Sequence, residues 1–125
     1  LVAMGLPERN AGGGGHNPPP EGFVAATIEL PGPRVVKIHF QAAGSEHKAK
    51  PHGIHGVEII WQVFDTPSPS VSIDELIHSE FDTMTPYEFR FSDAQRGKHL
   101  YFAMRWENTT GEKGPWSEIM EAIIP

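Results

Sequence analysis

The chain has 125 residues, enough for one domain that buries well over half of its unfolded surface. Its net charge of −6, from 16 acidic against 10 basic residues with no basic block, argues against nucleic acid or an anionic membrane as the main partner. The absence of cysteine excludes disulfides and thiolate chemistry, and no apolar run approaches the length of a transmembrane helix.

Hydrophobic residues make up 38% of the chain, while 13 Gly and 12 Pro reach about a fifth of it. The Gly and Pro concentrate in "LPERNAGGGGHNPPPEG", from Leu6 to Gly22. Flexible "GGGG" followed by stiff, extended "NPPP" is the composition of a spacer, so residues 1–21 are expected to be linker and 22–125 a folded domain. "LVAMGLPERN" resembles the last turn of a helix stopped by Pro7, which would belong to a preceding helical region. The start at Leu1 rather than Met fits a fragment, with any leader upstream.

From Gly22 onward the apolar pattern has period two. "FVAATIEL" is a strand closed by Pro31-Gly32-Pro33, and "RVVKIHFQ" sets Val36, Ile38 and Phe40 against Lys37, His39 and Gln41. After the loop "AAGSEHKAKPHG", "IHGVEIIWQVF" gives the clearest strand, with Val57, Ile59, Trp61 and Val63 on one face. "DTPSPS" breaks it. In "SIDELIHSEF", Ser72 and Glu75 form a capping-box pattern, which reads as one helical turn followed by a short edge strand. "PYEFRF", "KHLYFAMRWEN" and "SEIMEAII" complete about seven short strands without a long helix, the pattern of an antiparallel β-sandwich.

"IHGVEIIW" resembles the third strand of fibronectin type III domains. "PYEFRFSDAQRGKHLYFAMRWENTTGEKGPWSE" resembles their fifth strand, corner turn, sixth strand, Asn-containing hairpin and final strand. The resemblance covers roughly residues 22–125 and implies an all-β, seven-stranded, fibronectin type III or immunoglobulin-like sandwich. The segment also resembles the C-terminal part of uncharacterised Bacteroidetes proteins, in which a helical region and a Pro-rich linker precede such a sandwich. Two positions depart from the family pattern. Phe40 stands where a core Trp is usual, and Leu100, beside Tyr101, stands where a corner Tyr is usual.

Within "WENTTGEKGPWSE", Trp106 continues the core period of Leu100, Phe102 and Met104, and Arg105 faces out. Trp116 is expected to begin the last strand near Arg105, with Arg90 approaching from a neighbouring strand, in a cation–π stack worth roughly 0.5–1 kcal/mol per contact. Such a Trp-Ser pair on arginines is similar in part to that of cytokine-receptor sandwiches. A structural role for Trp116 is favoured over a ligand platform. Asn108-Thr109-Thr110 fits the glycosylation pattern, but a hairpin role for Asn108 is the stronger reading, with Gly111 and Gly114 supplying positive φ.

His47, His52 and His55, spaced H-x4-H-x2-H beside Glu46, are the residues most suited to zinc or nickel, although no regular element fixes their geometry. The carboxylate pairs Asp74/Glu75, Glu80/Asp82 and Glu118/Glu121 read as solvated faces rather than hydrolytic pairs. No G-x-S-x-G supports a triad, and "GGGG" lacks the Lys-Ser/Thr of a phosphate loop. The chain is therefore expected to be no enzyme and to need no cofactor.

The expected function is an accessory or protein-interaction module, with "SPSVSIDELIHSEF" as the segment for edge pairing, including a weak homo-oligomer. Alternatives are a carbohydrate-binding module using Tyr101, Trp116 or Tyr87, and a small metal-binding domain. Tyr101, Arg105 and Trp116 are the expected partner-binding residues, for an unknown protein or glycan. The compartment stays open, with an exported or cell-surface setting slightly favoured.

Overall fold

The computed structural model describes residues 18–44 and 50–125. Among these, seven strands form: β1 (Val24–Gly32), β2 (Val35–Ala42), β3 (Ile54–Phe64), β4 (His78–Asp82), β5 (Tyr87–Arg90), β6 (His99–Asn108) and β7 (Met120–Ile123). They make two antiparallel sheets, β1–β2–β5 and β4–β3–β6–β7. The fourth strand pairs with the third, not with the sheet that holds the fifth, unlike the constant-type immunoglobulin arrangement.

Period-two patterning places the core between the sheets. Val36, Ile38 and Phe40 of β2 meet Val57 and Ile59 of β3, Phe89 of β5, and Leu100, Phe102, Met104 and Trp106 of β6, all buried. Each such side chain contributes about 1.5–3 kcal/mol of burial. Both departures from the family pattern keep this core filled. The Phe40 ring stands edge-on to Trp106 at 6.1 Å, and Leu100 is fully buried.

A second cluster lies on the outside of the four-stranded sheet. Ile60, Tyr101 and Ala103 point outward from β3 and β6, yet Leu76 and the partly buried Val71, Ile73, Trp116 and Ile119 cover them. The segment between β3 and β4 supplies most of this cover. It includes the expected helical turn, a 3-10 turn at Ile73–Glu75 whose capping box is formed by Ser72 and Glu75. Tyr101 fastens it. Its hydroxyl accepts a hydrogen bond from Ser68 N at 2.8 Å and lies 3.1 Å from Glu121 Oε2.

The β6–β7 hairpin is built on Asn108, which is only 1% exposed. Its Oδ1 accepts from Thr110 N at 3.1 Å and Glu112 N at 2.8 Å, and its Nδ2 donates to Pro18 O at 3.1 Å and Glu112 Oε1 at 3.0 Å. A glycan on that nitrogen would displace these bonds, so the geometry supports the hairpin role. Gly111 has φ 88°, as the turn requires. Gly114 does not have positive φ. It is there for a different reason, because a Cβ at Gly114 would sit 3.1 Å from both the Cβ and the carbonyl oxygen of Pro20. The expected linker therefore ends docked on the hairpin through Pro18 and Pro20, while residues 1–17 lie outside the described residues.

Candidate functional site

Two surfaces of the four-stranded sheet carry distinctive chemistry. The first is a ladder across its outer face. Register places Glu58 of β3 opposite Arg105 of β6. Arg105 Nε donates to Glu58 Oε1 at 2.8 Å, and Lys113 Nζ lies 3.2 Å from the same oxygen and 2.7 Å from Glu107 Oε1. Above it, the Arg105 guanidinium sits 4.0 Å from the centre of the Trp116 ring.

Partial burial pushes the Glu58 carboxyl up, but hydrogen bonds and charge from Arg105 and Lys113 outweigh this and hold it below its ordinary value. The Glu107 carboxylate, helped by Glu58, raises the Lys113 ammonium above its ordinary range against the opposing effect of burial. The ladder is thus mutually neutralised. It braces the sheet and leaves neither an activated nucleophile nor an unpaired charge among these groups.

The expected Arg105–Trp116 pair is present, but without Arg90. That residue lies on β5 in the other sheet, where it pairs with Glu88 at 2.8 Å. Trp116 also precedes the last strand instead of opening it, since β7 begins at Met120; Ser117 still bonds to β6, with its N donating to Met104 O at 2.8 Å. Tyr101, the third residue expected to meet a partner, is 5% exposed and occupied with Ser68 and Glu121. It has no open ring face for a sugar. Tyr87, named with it, packs against Phe89 with ring centres 4.8 Å apart.

The second surface is the edge strand β4. Among the described residues, β4 pairs with β3 on one side and with nothing on the other. Ile77 is 69% exposed, Phe81 41% and Met84 72%, on or beside that edge. Register gives β4 its faces. Ser79 and Phe81 lie opposite Ile60 and Glu58 on the outer side, and His78 and Glu80 opposite Trp61 and Ile59 on the core side. The His78 ring stacks on Trp61 at 4.4 Å, which fixes its position at the rim of the core. The sequence locates this strand but not that Ile77, Phe81 and Met84 stay exposed on or beside it, with the Phe81 ring lying over Gly56 and His55 of β3. For Ile77 and Phe81 the run "ELIHSEF" holds the signal, since a two-sided edge strand cannot hide every apolar residue.

Of the histidines considered for metal, His47 lies outside the described residues. His55 stacks on Phe81 at 5.3 Å, and its carbonyl accepts from Lys50 Nζ at 2.8 Å. Among the described residues no three His, Cys, Asp or Glu side chains gather in metal-binding geometry. The His99 side chain is mostly covered, with Nδ1 2.8 Å from Glu121 Oε2.

No family model matches the chain, and no curated protein does. Among solved structures, the chain is similar to the third fibronectin III domain of the human KIAA0343 protein, with 17% identity, a TM-score of 0.51, and 91% of each chain covered. Together with two antiparallel sheets of three and four strands, this shows that the chain has an all-β, fibronectin type III-like sandwich fold.

Proposed function

We propose that the domain is a non-catalytic protein-interaction module that docks its partner along β4. The observation that carries this reading is the exposure of Ile77, Phe81 and Met84 beside an edge with no pairing strand among the described residues. An unpaired edge offers backbone donors and acceptors in a row, and adjacent apolar side chains add burial and register. The ladder around Glu58 gives no comparable opening, because its charges already satisfy one another. Protein docking is favoured over glycan binding because Tyr101 is buried and one face of Trp116 is covered by Arg105.

A photo-reactive residue placed at Ile77, Phe81 or Met84 should cross-link a protein in the cell that makes the chain. The same residue at Lys37, on the other sheet, should not. Cross-linking that is equal at both places, or that survives Phe81→Lys with Ile77→Lys unchanged, overturns the reading.

A further inference from the structure

We infer that the partner of β4 is a second copy of this chain, joined edge to edge about a two-fold axis at Ser79. This rests on the reading of β4 as the docking edge and goes further by fixing occupant and register. A two-fold antiparallel pairing that keeps outer face with outer face must place residues of like face opposite each other. Centring it on Ser79 sets Ile77 against the partner's Phe81 and Phe81 against the partner's Ile77, so exposed apolar groups on β4 or at its start cover one another. On the core-side face the same register sets His78, which stacks on Trp61, against the partner's Glu80, whose carboxyl also reaches the Tyr87 hydroxyl of its own domain, and the two-fold repeats the pair.

Hydrophobic pairs thus form on one face and two imidazole–carboxylate pairs on the other. Cross-strand pairs of both kinds stabilise antiparallel sheets. Neighbouring registers are poorer. Centring on Glu80 also sets His78 against the partner's Asp82, but it opposes Glu80 to itself and Phe81 to the partner's Ser79. Centring on Phe81 opposes Glu80 to the partner's Asp82, so like charges and the apolar match select the Ser79 register.

The other long free edge does not share this property. In β1, the register that would match its exposed Ile28 and Leu30 sets Glu29 against itself, and Pro31 removes a backbone donor near its end. Edge pairing over five residues covers less surface than a permanent dimer needs, so the association is weak and concentration-dependent.

The chain contains no cysteine, so Ser79→Cys introduces one thiol, at the proposed axis. Directly opposed residues in an antiparallel pair have Cα atoms about 4.5–5.5 Å apart, within disulfide reach. Under mild oxidation of the full chain, Ser79→Cys should form covalent dimer roughly ten-fold or more faster than Thr27→Cys on β1, because pairing raises the local thiol concentration.

His78→Glu opposes two carboxylates twice and should weaken self-association in sedimentation equilibrium by roughly ten-fold. Adding Glu80→Lys restores opposite charges across the axis and should recover both association and cross-linking, which a merely misfolded variant would not do. Equal cross-linking rates for Ser79→Cys and Thr27→Cys, or no recovery in the double variant, overturns the dimer. If β4 positions still cross-link a different protein in that case, the docking edge stands and only its occupant is wrong.

Discussion

On the outer face of the three-stranded sheet, Thr27, Glu29 and His39 stand in solvent, with His39 Nε2 2.7 Å from Glu29 Oε1. On the outer face of the four-stranded sheet, Ile60, Tyr101 and Ala103 are buried under the chain's own β3–β4 segment. Both faces are outsides of the same sandwich. The difference lies in residue type: β2 alternates apolar with polar, whereas β6 runs Leu100, Tyr101, Phe102, Ala103, Met104 without a break and is buried on both sides. A sheet with two apolar faces needs two covers. One is the opposite sheet; the other is a connecting segment, tied down by Tyr101. The β4 edge is what that second cover leaves open.

The largest expected effect falls on the core shared by both sheets. Phe102→Ala, which empties a fully buried site, should cost about 3–5 kcal/mol in denaturant unfolding. Leu76→Ala removes the central side chain of the outer cover alone and should cost about 2 kcal/mol. It should also open residues 65–77 to proteolysis before the sandwich unfolds. If protease instead cuts only after global unfolding, the cover and the core are one cooperative unit and the comparison fails. Tyr101→Phe keeps the ring and removes the tether to Ser68, for a loss of about 1 kcal/mol that hydrogen exchange should localise to that segment.

Acid tests the ladder. The folded Glu58 carboxyl titrates below its ordinary 4.5, so its contribution is present above that pH and is lost as pH falls through the folded value. In Glu58→Gln the decline of stability below pH 4.5 should be shallower than in the parent; an unchanged slope would remove Glu58 from the balance. On the solvated face, His39→Ala should change stability by less than about 0.5 kcal/mol. A larger loss would mean that this face, too, is covered.

Much of the fold was legible in the sequence. Alternation in "RVVKIHFQ", and the period-two set Val57, Ile59, Trp61 and Val63 in "IHGVEIIWQVF", assign both strands and their core faces, although Ile60 and Phe64 are apolar on the other face as well. The capping box at Ser72 and Glu75 is local chemistry and forms where it was expected. The site was less legible. The period of Leu100, Phe102, Met104 and Trp106 in "HLYFAMRWEN" points Tyr101 to the surface, whereas the structure buries it with Ala103, as an unbroken apolar run signals burial on both faces. Placing Arg90 beside Trp116 required knowing which sheet holds β5, and adjacent strands in sequence need not share a sheet.

By itself the sequence determined most of the strands and the faces that form the core between the sheets, because these follow from local periodicity and from the burial of apolar area. The tertiary structure alone decided that Asn108 and Gly114 would hold Pro18 and Pro20, that Tyr101 would be a tether, and that Ile77, Phe81 and Met84 would stay exposed on or beside one free edge. Those outcomes depend on contacts between residues far apart in the chain, and no local pattern specifies which distant segment arrives to cover a face and which edge is left without a neighbour.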